Sequence, residues 1–370
     1  MRYPALESLR GLAAVIVVLH HHLLVFPALY PYPVGIDGLS GWLTSSPLHL
    51  FWAGGEAVVF FFVLSGFVLS LSVWRGTRLD MEAFVVRRVW RIWVPLMVAV
   101  TLAWGCASVL GHAPVPGTSE WFAAIWERAD AVAYVHHALA LGRLDSLNHA
   151  FIPVVWSLKY ELWLSLLLPL ALLVARQRWG YVLLGMATLL ALHHSFGGPD
   201  TATTLMRFFP MFAGGALLAR HREALAAWGS ALPPRARPGL LLLALLALPG
   251  QWYGGGPDAL PLRATVNDLV TLASAGVLIV LALGWGDLRT WLERPALTWL
   301  GKISYSLYLY HALVLTVVVR AGASFLPVPV LVALSLALTF PVALAAHRWV
   351  EVPAMRRSGR RAPTPAVAPS

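Results

Sequence analysis

Runs of about twenty apolar residues recur along the whole chain, and no other feature constrains its fold as tightly. A helix of that length rises roughly 30 Å, the thickness of the hydrocarbon core of a bilayer. Residues are 59% hydrophobic and only 12% charged, and mean hydropathy is +0.71. That charge fraction is about half that of an ordinary soluble domain. The chain therefore reads as an all-α polytopic membrane protein. Ten spans are expected, at 6–26, 57–74, 92–110, 155–175, 179–195, 205–219, 238–252, 266–285, 303–319 and 328–349.

The basic residues orient these spans. With both termini in the cytoplasm, only Arg128, Arg143, Lys159, Arg207, Arg263 and Arg320 of the 27 Lys and Arg fall on the outer side. This is the asymmetry of the positive-inside rule. An eleventh span near 131–141 would reverse the later loops and is rejected. Residues 1–355 form one expected transmembrane domain. Residues 356–370, rich in Pro and Ala, read as a disordered cytoplasmic tail. The net charge of +10 is spread over short loops, so no nucleic-acid partner is expected. Cys106, the single cysteine, leaves no disulfide framework or thiolate metal site, and no metal is expected. The first run has the basic flank of a signal peptide but no small-x-small cleavage site, and is read as a retained helix. No internal repeat of the kind common in transporters is evident.

Polar groups inside such runs need a reason, because ionisable side chains in a bilayer are costly and mark pathways or reaction sites by default. Arg10 and His21 lie eleven residues apart in the first run. That spacing is about three helical turns and roughly 16 Å, which returns both to nearly the same face. His20 and His22 flank the second of them. Alternatively, Arg10 is a positive-inside anchor and the histidines are interfacial. In the second span, Ser65 and Gly66 interrupt an aromatic run and suit close helix packing. Arg88 and Arg91 share a helix face before the third span. Their forked guanidiniums suit phosphate oxygens, although a topology cluster would read the same. Glu161, in VVWSLKYELW, lies at an expected depth similar to that of His21, where a carboxylate could orient a general-base imidazole. It could also pair with Lys159. The segment LGKISYSLYLYH is unusually polar for a lipid-facing helix, with Ser304, Tyr305, Ser306, Tyr308, Tyr310 and His311. It is expected to line a cavity or to glue helices together. Residues 111–154 form the longest outer loop, whose Trp121, Trp126, His136, His137, Asp145 and His149 cover a pocket mouth or lie at the interface.

Taken together, LESLRGLAAVIVVLHH, FFFVLSGFVLS, RRVWRIWVP, WSLKYELWLSLLLP, RFFPMFAGGALLAR and LGKISYSLYLYH resemble, in order, the integral-membrane acyltransferase-3 family. The resemblance covers almost the whole chain. It implies a ten-helix membrane domain, in the plasma membrane or bacterial inner membrane, that moves acyl groups, commonly acetyl. The donor is cytoplasmic acyl-CoA and the acceptor a hydroxyl of an extracytoplasmic carbohydrate or glycoconjugate. The family's Arg, ten residues, His pattern falls on Arg10 and His21 and selects His21 as general base, with Glu161 as its expected partner. Its Arg-x-x-Arg element falls on Arg88 and Arg91, on the CoA side together with Arg10. Its Trp-Ser-Leu-x-x-Glu element falls on Trp156, Ser157, Leu158 and Glu161. Trp156, Ser157, Tyr305 and His311 are expected to contact substrate. Many members carry an acidic residue where this chain has Val58 and Val59, with Glu56 further out. Lys159 also stands inside the fourth-span motif. Some relatives append an extracytoplasmic domain; since this chain stops soon after the tenth span, such a partner is expected to be a separate protein. The competing classes are a secondary transporter using an intramembrane His/Glu/Arg pathway and a non-catalytic scaffold.

Overall fold

The computed structural model describes residues 3–33, 35, 37–127, 129–139, 151–198, 200–254, 256 and 260–358. Arg143, Asp145 and His149 of the outer loop, Arg128, and the tail from 359 lie outside the described residues. Within them the chain is helical, without strands.

Each expected span has a helix. α1 runs Pro4–Leu23, α2 Gly54–Trp74, α3 Met81–Leu110, α4 Val155–Leu166, α5 Leu168–Ala175 and α6 Trp179–Phe196. α7 runs Thr201–Arg220, α8 Ala236–Ala247, α9 Pro261–Gly284, α10 Pro295–Gly322 and α11 Val328–Arg357. Local chemistry sets several of the starts. Proline occupies the first turn of α1, α9 and α10, where its missing N–H costs nothing. Asp80 and Asp200 cap α3 and α7 by accepting backbone N–H groups, from Ala83 at 3.0 Å and from Ala202 at 2.9 Å.

The helices at the ten expected spans differ in length and apolarity. Among the described residues, α2, α3, α7, α9, α10 and α11 are long and apolar enough to cross a bilayer alone, and α4 with α5 would add a seventh. The α4/α5 pair bends by 62° at Leu167, just before Pro169, which removes a helix donor and crowds the preceding turn. α8 has 12 residues, about 18 Å of rise. α1 and α6 are diluted by polar groups: Glu7, Arg10 and three histidines in the first, His193 and His194 in the second. The expected tail boundary at residue 356 falls inside a helix. Arg356 and Arg357 still belong to α11, whose last turns bury Ala354 and pack against the first half of α3.

Two backbone crossings hold the centre together. Gly11 of α1 meets Gly301 of α10, where a Cβ on Gly11 would lie 2.7 Å from the Gly301 nitrogen. Gly66 of α2 and Gly215 of α7 mark a second crossing, where a Cβ on either would collide with a backbone carbonyl of the other helix, Phe212 and Val63 respectively. Small residues let helices approach where lipid supplies no hydrophobic drive. α10 is the most enclosed of the candidate spans and α11 the most exposed. α3 and α11 each contain one π-helical turn, at Val89–Trp93 and His347–Glu351. Such turns free a main-chain carbonyl from the helical ladder and frequent functional sites.

Candidate active site

The site grows from the α1/α10 crossing. α1 and α10 run parallel, because Arg10 meets residues 301 and 304 while His21 meets residue 311. Arg10 Nε donates to Ser304 Oγ at 2.9 Å and Nη2 donates to the Gly301 carbonyl at 3.2 Å. Both partners are neutral, so the Arg10 charge is held in place without being cancelled by contact.

The π turn of α3 supplies the next wall. Its Ile92 carbonyl accepts from Tyr305 Oη at 2.7 Å, which ties α3 to α10. Arg88, one turn earlier, is 5% exposed and is engaged through Nε and Nη2. It donates to Glu161 at 2.8 Å and to Ser165 Oγ at 3.0 and 2.8 Å. Arg91 is different. Among the described residues its guanidinium has no hydrogen-bond partner, and it lines two adjoining cavities.

The wider cavity, about 330 Å³, opens where α1 begins and is walled by Tyr3, Glu7, Arg10, Arg75, Arg88 and Arg91 among others. The second is a slender extension of about 70 Å³ that reaches Ser157, Tyr305 and Tyr308. The two share Arg10, Phe61, Ser65, Arg91 and Glu161. Ser157 Oγ lies 2.9 Å from the Val154 carbonyl and 2.5 Å from Tyr308 Oη. Serine has one proton and the carbonyl takes it, so Tyr308 donates to Ser157. The hydroxyl protons of Tyr305 and Tyr308 are both committed, so neither tyrosine is a free donor to a ligand.

Beyond Tyr308, toward the other end of the bundle, lie the histidines. The Tyr308 and His311 rings are 6.1 Å apart, and His311 Nε2 is 2.9 Å from His21 Nδ1. On its other side His21 faces Trp121, with near-parallel rings and centroids 5.3 Å apart. Trp121 belongs to a loop latched over the end of α1. Ser119 Oγ donates to the Leu24 carbonyl at 2.5 Å, and Arg320 of α10 donates to the Ala113 and Ile125 carbonyls at 2.7 and 2.6 Å.

The structure thus unites Arg10, Arg91, Ser157, Glu161 and Tyr305 around one cavity, and His21 with His311 one step beyond it. It separates two expected groupings. Glu161 does not orient His21: the α4 register turns it toward Arg88, and His311 stands beside His21 instead. Nor does Glu161 pair with Lys159, which donates to Thr201 at 2.7 Å. Trp156 is not in the cavity lining. It packs on Phe208 and Tyr160, with ring centroids 5.9 and 6.4 Å away. Glu56 is buried and accepts from Trp252 Nε1 at 2.8 Å and from Gln251. Ser304 and Tyr308, expected only to line a cavity or to glue helices together, join Tyr305 in the lining of the site. Gly301, Ser304, Tyr308 and His311 recur at three- and four-residue spacing on one face of α10, the pattern that would have selected them. Among the described residues no group of three or more His, Cys, Asp or Glu gathers as a metal site.

Residues 3–348 match the sequence profile of the acyltransferase-3 family, described as an acyltransferase domain. No curated protein and no solved structure gives a match. With a profile spanning nearly the whole helical bundle and the arginine-lined cavity within it, the chain belongs to the acyltransferase-3 family of membrane acyltransferases.

Proposed function

We propose that the protein transfers an acyl group, acetyl in the first instance, from acyl-CoA to a hydroxyl of a carbohydrate or glycoconjugate across the plasma membrane. The observation that carries this reading is the pair of guanidiniums, Arg10 and Arg91, that face a common cavity with no carboxylate in contact. Arginines with no carboxylate hydrogen-bonded to them favour a polyanion, even with Glu7 and Glu161 on the cavity wall, and their forks suit phosphate. The vestibule opens at the basic-rich end of the bundle, the cytoplasmic side under the positive-inside rule. CoA phosphates sit at Arg10 and Arg91, and the thioester arm extends along the slender pocket toward Tyr308. His21 lies eleven residues along α1 from Arg10, about 16 Å at 1.5 Å per residue.

In the transfer step the acceptor hydroxyl gives its proton to His21 and its oxygen attacks the thioester carbonyl carbon. The carbon–sulfur bond breaks, and the CoA thiolate leaves and recovers the proton from the imidazolium. Ester and free CoA are the products. Trp121 faces the outer side of His21, where the acceptor arrives. Any extracytoplasmic partner protein would act at that side.

The test is sided. Vesicles loaded with radiolabelled acetyl-CoA on the basic face are offered a panel of glycans on the opposite face. Label appearing on an outer glycan, with CoA released inside in equal amount, supports the reading. Glycan movement without acetyl-CoA consumption would replace it with transport.

A further inference from the structure

The two histidines can be assigned their protons from geometry alone. His311 Nδ1 lies 3.1 Å from the Leu307 carbonyl, one turn back on α10. A carbonyl only accepts, so His311 Nδ1 carries the hydrogen. A neutral imidazole has one N–H, which makes His311 Nε2 an acceptor. A second proton on this ring, fully buried with no carboxylate in contact, would leave an unpaired charge inside the bundle. Facing His311 Nε2 at 2.9 Å is His21 Nδ1. His21 must therefore donate from Nδ1, with the Val17 carbonyl one turn back on α1 also within hydrogen-bonding reach of its ring, and its remaining nitrogen, Nε2, carries no hydrogen.

We propose that His311 is a positioning residue: it accepts from His21 Nδ1, fixes the His21 tautomer, and so makes His21 Nε2 the atom that takes the acceptor's proton. The proposal rests on the acyltransferase reading and assigns His311 to the base, in place of the expected substrate contact. A carboxylate usually fills this place behind a catalytic imidazole. Here the carboxylate on offer, Glu161, is engaged by Arg88. A neutral acceptor locks the tautomer without adding a buried charge. Trp121, nearly parallel to His21 on the opposite side, restrains the ring from turning over. The lock is inherited from the fold. The Gly11/Gly301 crossing sets the register of α1 on α10, and that register brings residues 21 and 311 together.

The experiment uses the full-length protein, labelled with 15N-histidine, in lipid nanodiscs. The ring signal that disappears in His21→Ala is expected to carry its proton on Nδ1 with Nε2 bare. His311→Gln should preserve that signal, because the longer amide places an oxygen where Nε2 stood. His311→Asn, whose amide reaches only as far as Nδ1, should mix the two tautomers. In parallel, acetyl transfer from acetyl-CoA is followed in membrane vesicles carrying the native envelope glycans. His311→Asn is expected to lower kcat about 100-fold at unchanged KM for acetyl-CoA, while His311→Gln stays within about threefold of wild type. A wild-type His21 protonated on Nε2 overturns the proposal whatever the activity. Equal kcat for the Gln and Asn variants overturns it too, and leaves the acyltransferase reading intact. Failure of wild type to transfer acetyl counts against that reading alone, and the tautomer signal then decides the proposal.

Discussion

Glu161 accepts a hydrogen bond of 2.8 Å from Arg88, not from His21. The carboxylate of the fourth-span motif therefore holds the wall of the vestibule, together with Ser165, which meets the same guanidinium. Breaking one side of a buried ion pair strands the other charge, at a cost of about 3–5 kcal/mol. Glu161 is 25% exposed in its side chain, so the lower end of that range, ~3 kcal/mol, applies after discounting for solvent screening. Glu161→Ala is expected to lower the thermal unfolding temperature in detergent clearly. The double variant Glu161→Ala/Arg88→Met should recover part of the loss. Additive losses in that cycle would contradict the pairing.

Arg91 has a different task from Arg88, although the two are three residues apart in sequence. Its free guanidinium predicts that Arg91→Ala raises KM for acetyl-CoA about 10- to 100-fold, the worth of one or two charge-assisted hydrogen bonds. Stability should change little. Arg91→Lys should recover only part of the affinity, since an ammonium keeps the charge without the fork. Initial-rate kinetics against acetyl-CoA check this, and an unchanged KM would remove Arg91 from the donor site.

The Gly11/Gly301 contact leaves no room for a methyl group. A Cβ on Gly301 would press on the Glu7 backbone and lie 3.1 Å from the Ser8 nitrogen. Gly301→Ala is expected to push α1 from α10 and destabilise the protein by about 1–3 kcal/mol or more, the usual cost of overpacking. The same shift would separate His21 from His311. Its signature is joint loss of thermal stability and of acetyl transfer. Gly105, with no atom near its Cβ position, serves as control, and Gly105→Ala should be neutral.

Trp121 touches the base but neither cavity on the donor side. Trp121→Ala should therefore lower kcat with KM for acetyl-CoA unchanged, by about tenfold if it contributes one aromatic contact of roughly 1 kcal/mol plus ring restraint. A raised KM for acetyl-CoA would place Trp121 on the donor path instead.

Much of this was legible in the sequence, for physical reasons. Apolar runs of bilayer length specify helices whatever their partners, and each expected span has one. Arg10 and His21 were readable because a polar group within an apolar run has few explanations. Register between distant helices was not readable. Depth counted from span ends put Glu161 level with His21, but the side chain is taken by Arg88 of α3. Trp156 carries the same motif as Ser157, yet one residue of helix, a 100° turn, sends Ser157 to the cavity and Trp156 to Phe208. The pairing of His21 with His311 depends on a contact across 290 residues, set by two glycines whose meeting no local pattern announces.

The central claim is that His21 removes the acceptor's proton. The most direct measurement is acetyl transfer to outer glycans by purified protein in lipid vesicles, wild type beside His21→Ala, with acetyl-CoA binding measured on both. Loss of general-base catalysis predicts a drop in kcat of at least about 100-fold, with acetyl-CoA affinity and thermal stability retained because Arg10 and Arg91 are untouched. Transfer by His21→Ala at the wild-type rate would contradict the account.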